Sequence, residues 1–200
     1  QEEHEHEDAH AHDDAEEHEH EEETDEHVWL SLKNAKMLVR VISKALQELD
    51  PDNKDIYAAN ADAYVKKLSA LDADYQAAVD AASNKTILFG DRFPFRYLVD
   101  DYGLRYYAAF VGCSAETEAG FETISFLAKR VDEWKLPCVL TIEGAQHKIA
   151  ETIVRNTAAK NQKVLTMDSI QSTTSKDAAN GTTYLSVMER NLSVLKEALG

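Results

Sequence analysis

Four short apolar runs in the second half of the chain constrain its fold more strongly than any other feature. Each run is four to six residues long and is followed by a segment with the spacing of an amphipathic helix. The runs comprise residues 86–89, 106–111, 139–142 and 164–167, and the helical segments comprise residues 95–102, 118–134, 148–160 and 183–199. Continuous apolar strands separated by helices are typical of a parallel sheet covered on both faces. The sequence therefore predicts an α/β fold with a four-stranded, mainly parallel sheet flanked by helices.

Two long helical patterns precede this α/β unit. Apolar residues recur at helical spacing over residues 30–46, and the pattern ends before Pro51, because a residue that precedes proline disfavours the α region. Asp52 is suited to cap a second helix, which is rich in alanine, contains no glycine and continues to about residue 82. We therefore divide the chain into three parts: a segment over residues 1–26, a helical segment over residues 27–83 and an α/β lobe over residues 84–200.

The first 26 residues contain six histidines and fifteen carboxylates but no Lys or Arg. The histidines are His4, His6, His10, His12, His18 and His20. Neutral imidazole is a good ligand for zinc, and carboxylates extend the choice towards manganese. A solvated acidic tail would need no such frequent histidine, and a segment without large apolar residues cannot form a core. We interpret this segment as a disordered loop that binds metal, with Zn²⁺ as the expected ion and Mn²⁺ as the alternative.

The negative charge of the chain is concentrated in this His-rich loop. Of the formal net charge of −16, residues 1–26 carry −15, so that the remainder is almost neutral. The lack of a basic patch argues against nucleic acid as a partner, since phosphate would also repel the acidic loop. No apolar run reaches the roughly 18 residues that a membrane span needs. The sequence shows no signal peptide, and its start at Gln1 indicates a processed or excised chain.

Polar side chains follow the predicted strands, at the sheet edge where ligands bind in open α/β folds. Asp91, Glu143 and Asp168 follow the first, third and fourth strands. Any one of these carboxylates is explained equally well as a helix cap or a loop residue. Three together would repel one another unless a cation or protons neutralised them, which favours a cation site.

A carboxylate site of this kind also suits Mg²⁺, so a Mg²⁺-dependent phosphoryl-transfer enzyme is an alternative. Such an enzyme requires a cationic group that holds phosphate, for which Arg92 is the evident candidate. The chain contains neither a Walker loop nor a GxGxxG turn, and it has only seven glycines. We therefore favour metal binding without catalysis.

Two histidines lie outside the His-rich loop. His27 directly precedes an apolar helix, and it is either the last histidine of the loop or a metal ligand that the helix holds rigidly. His147 opens the helix that follows Glu143. It is explained equally well as a surface residue near a helix N-terminus or as part of the cation site.

The two cysteines are expected to be free thiols. Cys113 follows the second strand, whereas Cys138 begins the third, so they lie at opposite ends of the sheet. A strand of about five residues spans roughly 16 Å, which is well beyond the reach of a disulfide. We expect Cys138 in the core and Cys113 at the end where ligands bind.

Five short segments, in a fixed order along the chain, support a family resemblance. Residues 27–31, HVWLS, follow the His-rich loop, and residues 92–98, RFPFRYL, are followed by YGL at 102–104. Residues 142–143, IE, and residues 165–169, LTMDS, complete the set. In this order they are similar to the D-x-H-x-W-L, H-x-A-F-x-Y-F, Y-G-L, E-x-Q and L-D-P/S motifs of one family. The chain thus resembles the zinc/manganese solute-binding proteins of bacterial metal ABC importers.

The resemblance implies a ligand set, position by position. His27 matches the family's ligand histidine, and Asp168 matches its late carboxylate ligand. Arg92 falls where the family has a ligand histidine or glutamate, and a guanidinium cannot ligate a metal. The shell would then be completed by another ligand: Asp91, Glu143, His147 or a histidine of the loop.

The resemblance also implies two α/β lobes joined by a long rigid helix, here residues 52–82, with metal in the cleft between the lobes. This chain then corresponds to the C-terminal lobe with the His-rich loop attached, without the N-terminal lobe, and we expect weaker binding than two lobes would give. The implied function is extracytoplasmic zinc capture by a protein that is lipid-anchored at full length. It would deliver metal to the membrane permease of an ABC importer and would take no small organic substrate. A metal buffer or sensor that acts through a partner protein remains an alternative.

Overall fold

The computed structural model describes residues 25–110, 119–144 and 147–200 of the chain. Its four strands form one sheet in the order β2-β1-β3-β4, and every pair of neighbours is parallel. The strands are β1 (Thr86–Phe89), β2 (Arg105–Ala108), β3 (Cys138–Ile142) and β4 (Lys163–Met167). The predicted α/β fold with a four-stranded parallel sheet is therefore confirmed. The chain reverses its direction of strand addition between β1 and β3. We call the region at the carboxyl ends of these two strands the crevice, because ligands of open α/β sheets bind at such a switch point.

The part of the chain that the structure describes contains seven α-helices. They are α1 (Leu32–Leu49), α2 (Lys54–Ala81), α3 (Arg96–Tyr102), α4 (Phe121–Trp134), α5 (Lys148–Asn156), α6 (Ser175–Ala179) and α7 (Tyr184–Leu199). Short 3₁₀ turns precede α1 at Val28–Leu30 and α2 at Pro51–Asn53.

The end of α5 and the start of α4 differ from the predicted positions, and in each case a single residue sets the observed position. Helix α5 ends at Asn156 rather than residue 160, because Thr157 is extended and its buried hydroxyl donates to the Val154 carbonyl oxygen at 2.8 Å. Helix α4 begins at Phe121, after the extended Gly120. The unpredicted α6 begins with a capping box, in which Thr174 and Asp177 satisfy each other's backbone N–H groups.

The two central strands are buried at every position, whereas the edge strands are only partly covered. Alternate residues of the central strands enter two apolar clusters. Ile87, Phe89 and Leu140 pack with residues of α2, α3 and α7, and Leu88 and Val139 pack with residues of α4 and α5. Burial on both faces, as predicted, thus applies to β1 and β3. Because α2 shares one cluster with β1, the division of the chain at residue 83 stays a prediction.

Cys138 begins β3 and is a buried free thiol, as expected. Burial raises the pKa of this thiol to about 12, so it stays protonated and unreactive at neutral pH. Cys113 lies outside the described residues.

Close packing beside the crevice depends on one glycine. A Cβ atom at Gly90, directly after β1, would lie 2.5 Å from the Cα atom of Ala150 in α5. Because no side chain fits this space, the end of β1 lies against the first turn of α5. The residue that follows, Asp91, is therefore held at the crevice.

Helices α1 and α2 form a hairpin whose outer part is poorly covered. The buried positions of α2 begin at Val65, and α1 buries only Leu32, Ala35 and Ser43. Large apolar side chains are exposed on both helices: Met37, Leu38, Val41, Ile42, Leu46, Leu49 and Ile56. Helix formation was predicted correctly here, but the apolar pattern does not identify the buried face. None of the described helices combines the length and the apolar character that crossing a membrane requires.

Candidate metal centre

His27 lies at the start of a short segment, residues 25–30, that we call the His27 turn. The residue is 1% exposed, and the 3₁₀ turn that follows ends in the fully buried Leu30. The backbone nitrogen of His27 donates to Asp25 Oδ1 at 2.9 Å, and its ring atom Nδ1 lies 2.7 Å from the same oxygen. Because an ionised carboxylate only accepts hydrogen bonds, Nδ1 is the donor in this contact, which leaves Nε2 as the ring atom that a metal could use. A carboxylate on the second ring nitrogen is the usual support of a metal-ligating histidine.

Two tyrosines hold the His27 turn from neighbouring helices. The hydroxyl of Tyr97, in α3, donates to the Asp25 carbonyl oxygen at 2.7 Å. The hydroxyl of Tyr184, at the start of α7, donates to the Trp29 carbonyl oxygen at 2.7 Å. Burial raises the pKa of Tyr184, so this hydroxyl keeps the proton that it donates. Helices α3 and α7 of the α/β body (residues 84–200) thus hold the backbone on both sides of His27.

The first residues of α1 continue this attachment. Ser31 caps α1 by accepting from the backbone nitrogen of Asn34 at 3.0 Å, and its hydroxyl donates to Asp101 Oδ2 at 2.6 Å. Lys33 Nζ donates to the Asp101 carbonyl oxygen at 2.8 Å. The end of α3 therefore fixes the point where the His27 turn enters α1.

Asp168 lies in the turn that follows β4, residues 168–172, which we call the Asp168 turn. Its Oδ1 accepts from the backbone nitrogen of Ile170 at 2.8 Å. The Asn191 side chain holds the backbone of Asp168 by two hydrogen bonds, both 2.8 Å long. Arg190 Nη2 lies 3.9 Å from Asp168 Oδ2, and the Asp168 side chain is 30% exposed. The carboxylate is therefore oriented but accessible.

The His27 turn and the Asp168 turn are in direct contact. The indole Nε1 of Trp29 donates to the Ser169 carbonyl oxygen at 3.0 Å. Ser169 is adjacent to Asp168, and Trp29 is two residues from His27. The two residues with the best family precedent thus belong to neighbouring, hydrogen-bonded turns.

Asp91 and Glu143 have other partners at the crevice. Asp91 Oδ1 accepts from its neighbour Arg92 N at 2.8 Å, and Oδ2 accepts from the backbone nitrogen of Ile142 at 3.4 Å. Arg92 Nε lies 3.9 Å from Asp91 Oδ1. Glu143 accepts from the backbone nitrogen and the hydroxyl of Ser169, each at 2.6 Å. Asp91 therefore joins β1 to β3, and Glu143 joins β3 to the Asp168 turn.

His147 directly precedes α5 with a left-handed backbone, φ 47°. Its Nδ1 is buried and has no hydrogen-bond partner within the described ranges. The six histidines of the His-rich loop all lie outside the described residues.

Three adjacent residues provide a compact group of potential ligand atoms. In residues 25–110, 119–144 and 147–200, only Asp25, Glu26 and His27 form a group of three or more whose ligand atoms all lie within 4.8 Å of one another. Asp91, Glu143 and Asp168 do not form such a group. Sequence reasoning missed the role of Asp25 because it counted this residue as part of the acidic loop. The signal was present, since a carboxylate stands two residues before the histidine that opens the first helix.

Comparison with known proteins identifies the family. Residues 1–198 match ZnuA, described as the periplasmic component A of a zinc-uptake complex. The chain belongs to this family.

Two curated relatives and one solved structure illustrate the relationship. The zinc-binding lipoprotein AdcA of Streptococcus pneumoniae is 34% identical over 173 residues, which cover 86% of this chain and 34% of that protein. The high-affinity zinc uptake system protein ZnuA of Bacillus subtilis is 30% identical over 175 residues, covering 88% of this chain and 53% of that protein. The Zn(II)-bound ZnuA-like domain of S. pneumoniae AdcA is 32% identical with a TM-score of 0.70, covering 88% of this chain and 64% of that one.

These relatives are named for zinc binding and zinc uptake rather than for catalysis. The chain spans about a third of the length of S. pneumoniae AdcA and about half of the length of B. subtilis ZnuA. The resemblance noted from the sequence motifs is confirmed at the level of the family.

Proposed function

We propose that this chain is the extracytoplasmic solute-binding component of a zinc importer, which captures Zn²⁺ as its cargo and delivers it to an ABC permease. Family membership supports this role, and so do relatives named for zinc binding and uptake. The observation that carries the proposal is His27. A buried imidazole whose Nδ1 is held by a carboxylate is oriented for ligation, and the His27 ring also packs edge-on against Trp29, with ring centroids 5.3 Å apart.

In the proposed site, His27 ligates through Nε2 and Asp168 ligates through its carboxylate. The hydrogen bond between Trp29 and Ser169 supports this pairing, because it joins the two turns. Zinc takes about four ligands, so Asp91, His147, Glu26 or water would complete the shell. A shell with more carboxylates would shift the preference towards Mn²⁺.

The His-rich loop is proposed to collect metal and pass it to His27. Its composition supports this role, because imidazole and carboxylate are the only ligands it offers. His27 directly follows the acidic run in sequence, so the transfer would need no partner protein.

Calorimetric titration with Zn²⁺ tests the site once the six loop histidines are replaced by Asn. On that background His27→Ala is expected to lower the affinity by about 100-fold or more, beyond what loss of a supporting residue costs. Asp25→Asn, which keeps the shape but weakens the support of His27, should lower it by about 10–100-fold. The matched control is Asp74→Asn, an exposed carboxylate of α2, which should leave the affinity unchanged.

A tight, stoichiometric zinc site that survives His27→Ala with the fold intact would contradict the proposed site. Circular dichroism melting of each variant checks the fold. The transport role is tested in the source cells, where removal of the protein should lower zinc accumulation and the His27→Ala protein should fail to restore it.

A further inference from the structure

Glu143 was a candidate metal ligand from its place after β3, but its carboxylate has other partners. Oε2 accepts from the backbone nitrogen of Ser169 at 2.6 Å, and Oε1 accepts from the Ser169 hydroxyl at 2.6 Å. Ser169 is fully buried. A charged acceptor makes hydrogen bonds about twice as strong as neutral ones. Each Glu143 oxygen thus already accepts one short hydrogen bond from a buried serine, so metal ligation by Glu143 would have to use the remaining lone pairs of these oxygens.

Ser169 links three segments of the chain. Its nitrogen and hydroxyl bind Glu143 at the end of β3, and its carbonyl oxygen accepts from the indole of Trp29. The preceding residue is Asp168, the proposed carboxylate ligand. A single buried serine therefore connects Glu143 both to the Asp168 turn and to the His27 turn.

The Asp168 turn has an unusual backbone conformation. Ile170 has φ +67°, which is costly for a β-branched residue and persists only where surrounding contacts enforce it. The contacts on either side are the hydrogen bond from Ile170 N to Asp168 Oδ1 and the bonds between Ser169 and Glu143. Asn191 holds the same turn from α7. The direction of the Asp168 carboxylate depends on this enforced conformation.

We propose that Glu143 is a positioning residue, which acts through Ser169 to hold the Asp168 turn and the His27 turn in one fixed arrangement, and that it does not ligate the metal. The inference rests on the proposed zinc site for its functional meaning. Its structural content, the coupling of Glu143 to Trp29 through Ser169, is measurable without metal.

The metal-free test uses the indole N–H resonance of Trp29. The chain has two tryptophans, so Trp134→Phe assigns the Trp29 signal in ¹H–¹⁵N spectra. Glu143→Gln should shift this resonance and speed its exchange with solvent, because the Ser169 carbonyl is no longer held in place. Ser169→Ala removes one of the two bonds to Glu143 and should produce a smaller change in the same direction. The matched control is Ser69→Ala, which removes the hydroxyl of an exposed serine of α2 and should have no effect.

The metal-dependent test uses the background that lacks the six loop histidines. Glu143→Gln should lower zinc affinity by about 10–100-fold, the usual cost of losing a residue that orients a ligand. The loss in the Glu143→Gln, Ser169→Ala double variant should be smaller than the combined single losses, since both act through the same bonds. X-ray absorption of the zinc-loaded Glu143→Gln protein should give the same number of oxygen and nitrogen ligands as the parent.

Loss of one oxygen ligand in that spectrum would identify Glu143 as a metal ligand and overturn the proposal. An unmoved Trp29 resonance in metal-free Glu143→Gln would overturn it as well, and Ser169→Ala decides the same question if Glu143→Gln does not fold. If the parent binds no zinc at His27, the proposed function fails, while the indole measurement still decides the coupling.

Discussion

Strand β3 and the exposed side of α1 both carry large apolar side chains, yet the environments of these side chains are opposite. Every residue of β3 is buried, because helices cover both faces of the central sheet. On α1, Val41 is 60% exposed and Leu49 is 82% exposed. Burying one such side chain stabilises a protein by about 1.5–3 kcal/mol, so only the first region gains this stabilisation. The apolar content of a segment therefore does not show whether it lies in the core. Its burial depends on which other helices and strands pack over it.

The largest expected effect is at the centre of the sheet. Leu140→Ala should lower the free energy of unfolding by about 2–5 kcal/mol, because it leaves a cavity in a fully buried site. Leu49→Ala on α1 makes the same chemical change at an exposed site and should stay within about 0.5 kcal/mol of the parent. Urea denaturation measures both, and equal losses would remove the distinction between the two regions.

A second test compares two glycines within the α/β body. Gly90→Ala should cost about 1–3 kcal/mol, because its Cβ would overlap the backbone of Ala150. Gly120→Ala is the matched control, since nothing lies within 4 Å of its added Cβ and its φ of −63° suits alanine. Thermal unfolding of the two variants should separate them, and a neutral Gly90→Ala would show that α5 can move away from β1.

Two tyrosines extend the comparison to hydrogen bonds. Tyr75 is fully buried and donates to the Met188 carbonyl oxygen at 2.7 Å, so Tyr75→Phe should cost about 1–2 kcal/mol by leaving that acceptor unsatisfied. Tyr57 donates to Asp50 Oδ2 at 2.8 Å near the hairpin tip, where water can replace it. Tyr57→Phe should therefore cost about 0.5 kcal/mol or less. Denaturant titration measures both losses of stability. A larger loss for Tyr57→Phe than for Tyr75→Phe would show that the hairpin is as tightly packed as the body.

The smallest expected effect is a pH dependence where the hairpin meets the body. Burial raises the pKa of Asp72, but hydrogen bonds from Lys36 and Tyr102 outweigh this effect, so its pKa lies below the usual value. A lowered folded-state pKa means that the stabilisation is present above the unfolded pKa of about 3.9 and is lost as pH falls through the folded value.

Asp72→Asn should therefore be less stable than the parent at neutral pH, with a difference that shrinks below about pH 4. Unfolding at a series of pH values measures this, with exposed Asp74→Asn as the control. A difference that is constant with pH would show that the carboxylate charge contributes nothing.

The fold was predictable from the sequence because its signals are local. Continuous apolar runs gave the strands, and helical spacing between them required parallel pairing. The covered face of α1 was not predictable, since its exposed and buried residues belong to one continuous apolar pattern. The short α6 has no apolar periodicity and depends on a cap.

The candidate site was predictable only in part. His27 and Asp168 were suggested by their motifs, but their supports are distant in sequence. Glu143 binds a serine 26 residues away, and Trp29 donates to a carbonyl 140 residues away. Such pairs are defined by the tertiary fold, so no local pattern separates a ligand from a residue that positions one.

The first part of helix α2 extends beyond the region where the helix is buried. Its 28 residues span about 42 Å, and residues 54–64, before its first buried position, account for about 16 Å of that length. A rotation of about 10° at Val65 would displace the hairpin tip by about 3 Å, by the same helix geometry. Spin labels on the tip and on the sheet would therefore record small reorientations of α2 as easily measured changes in distance.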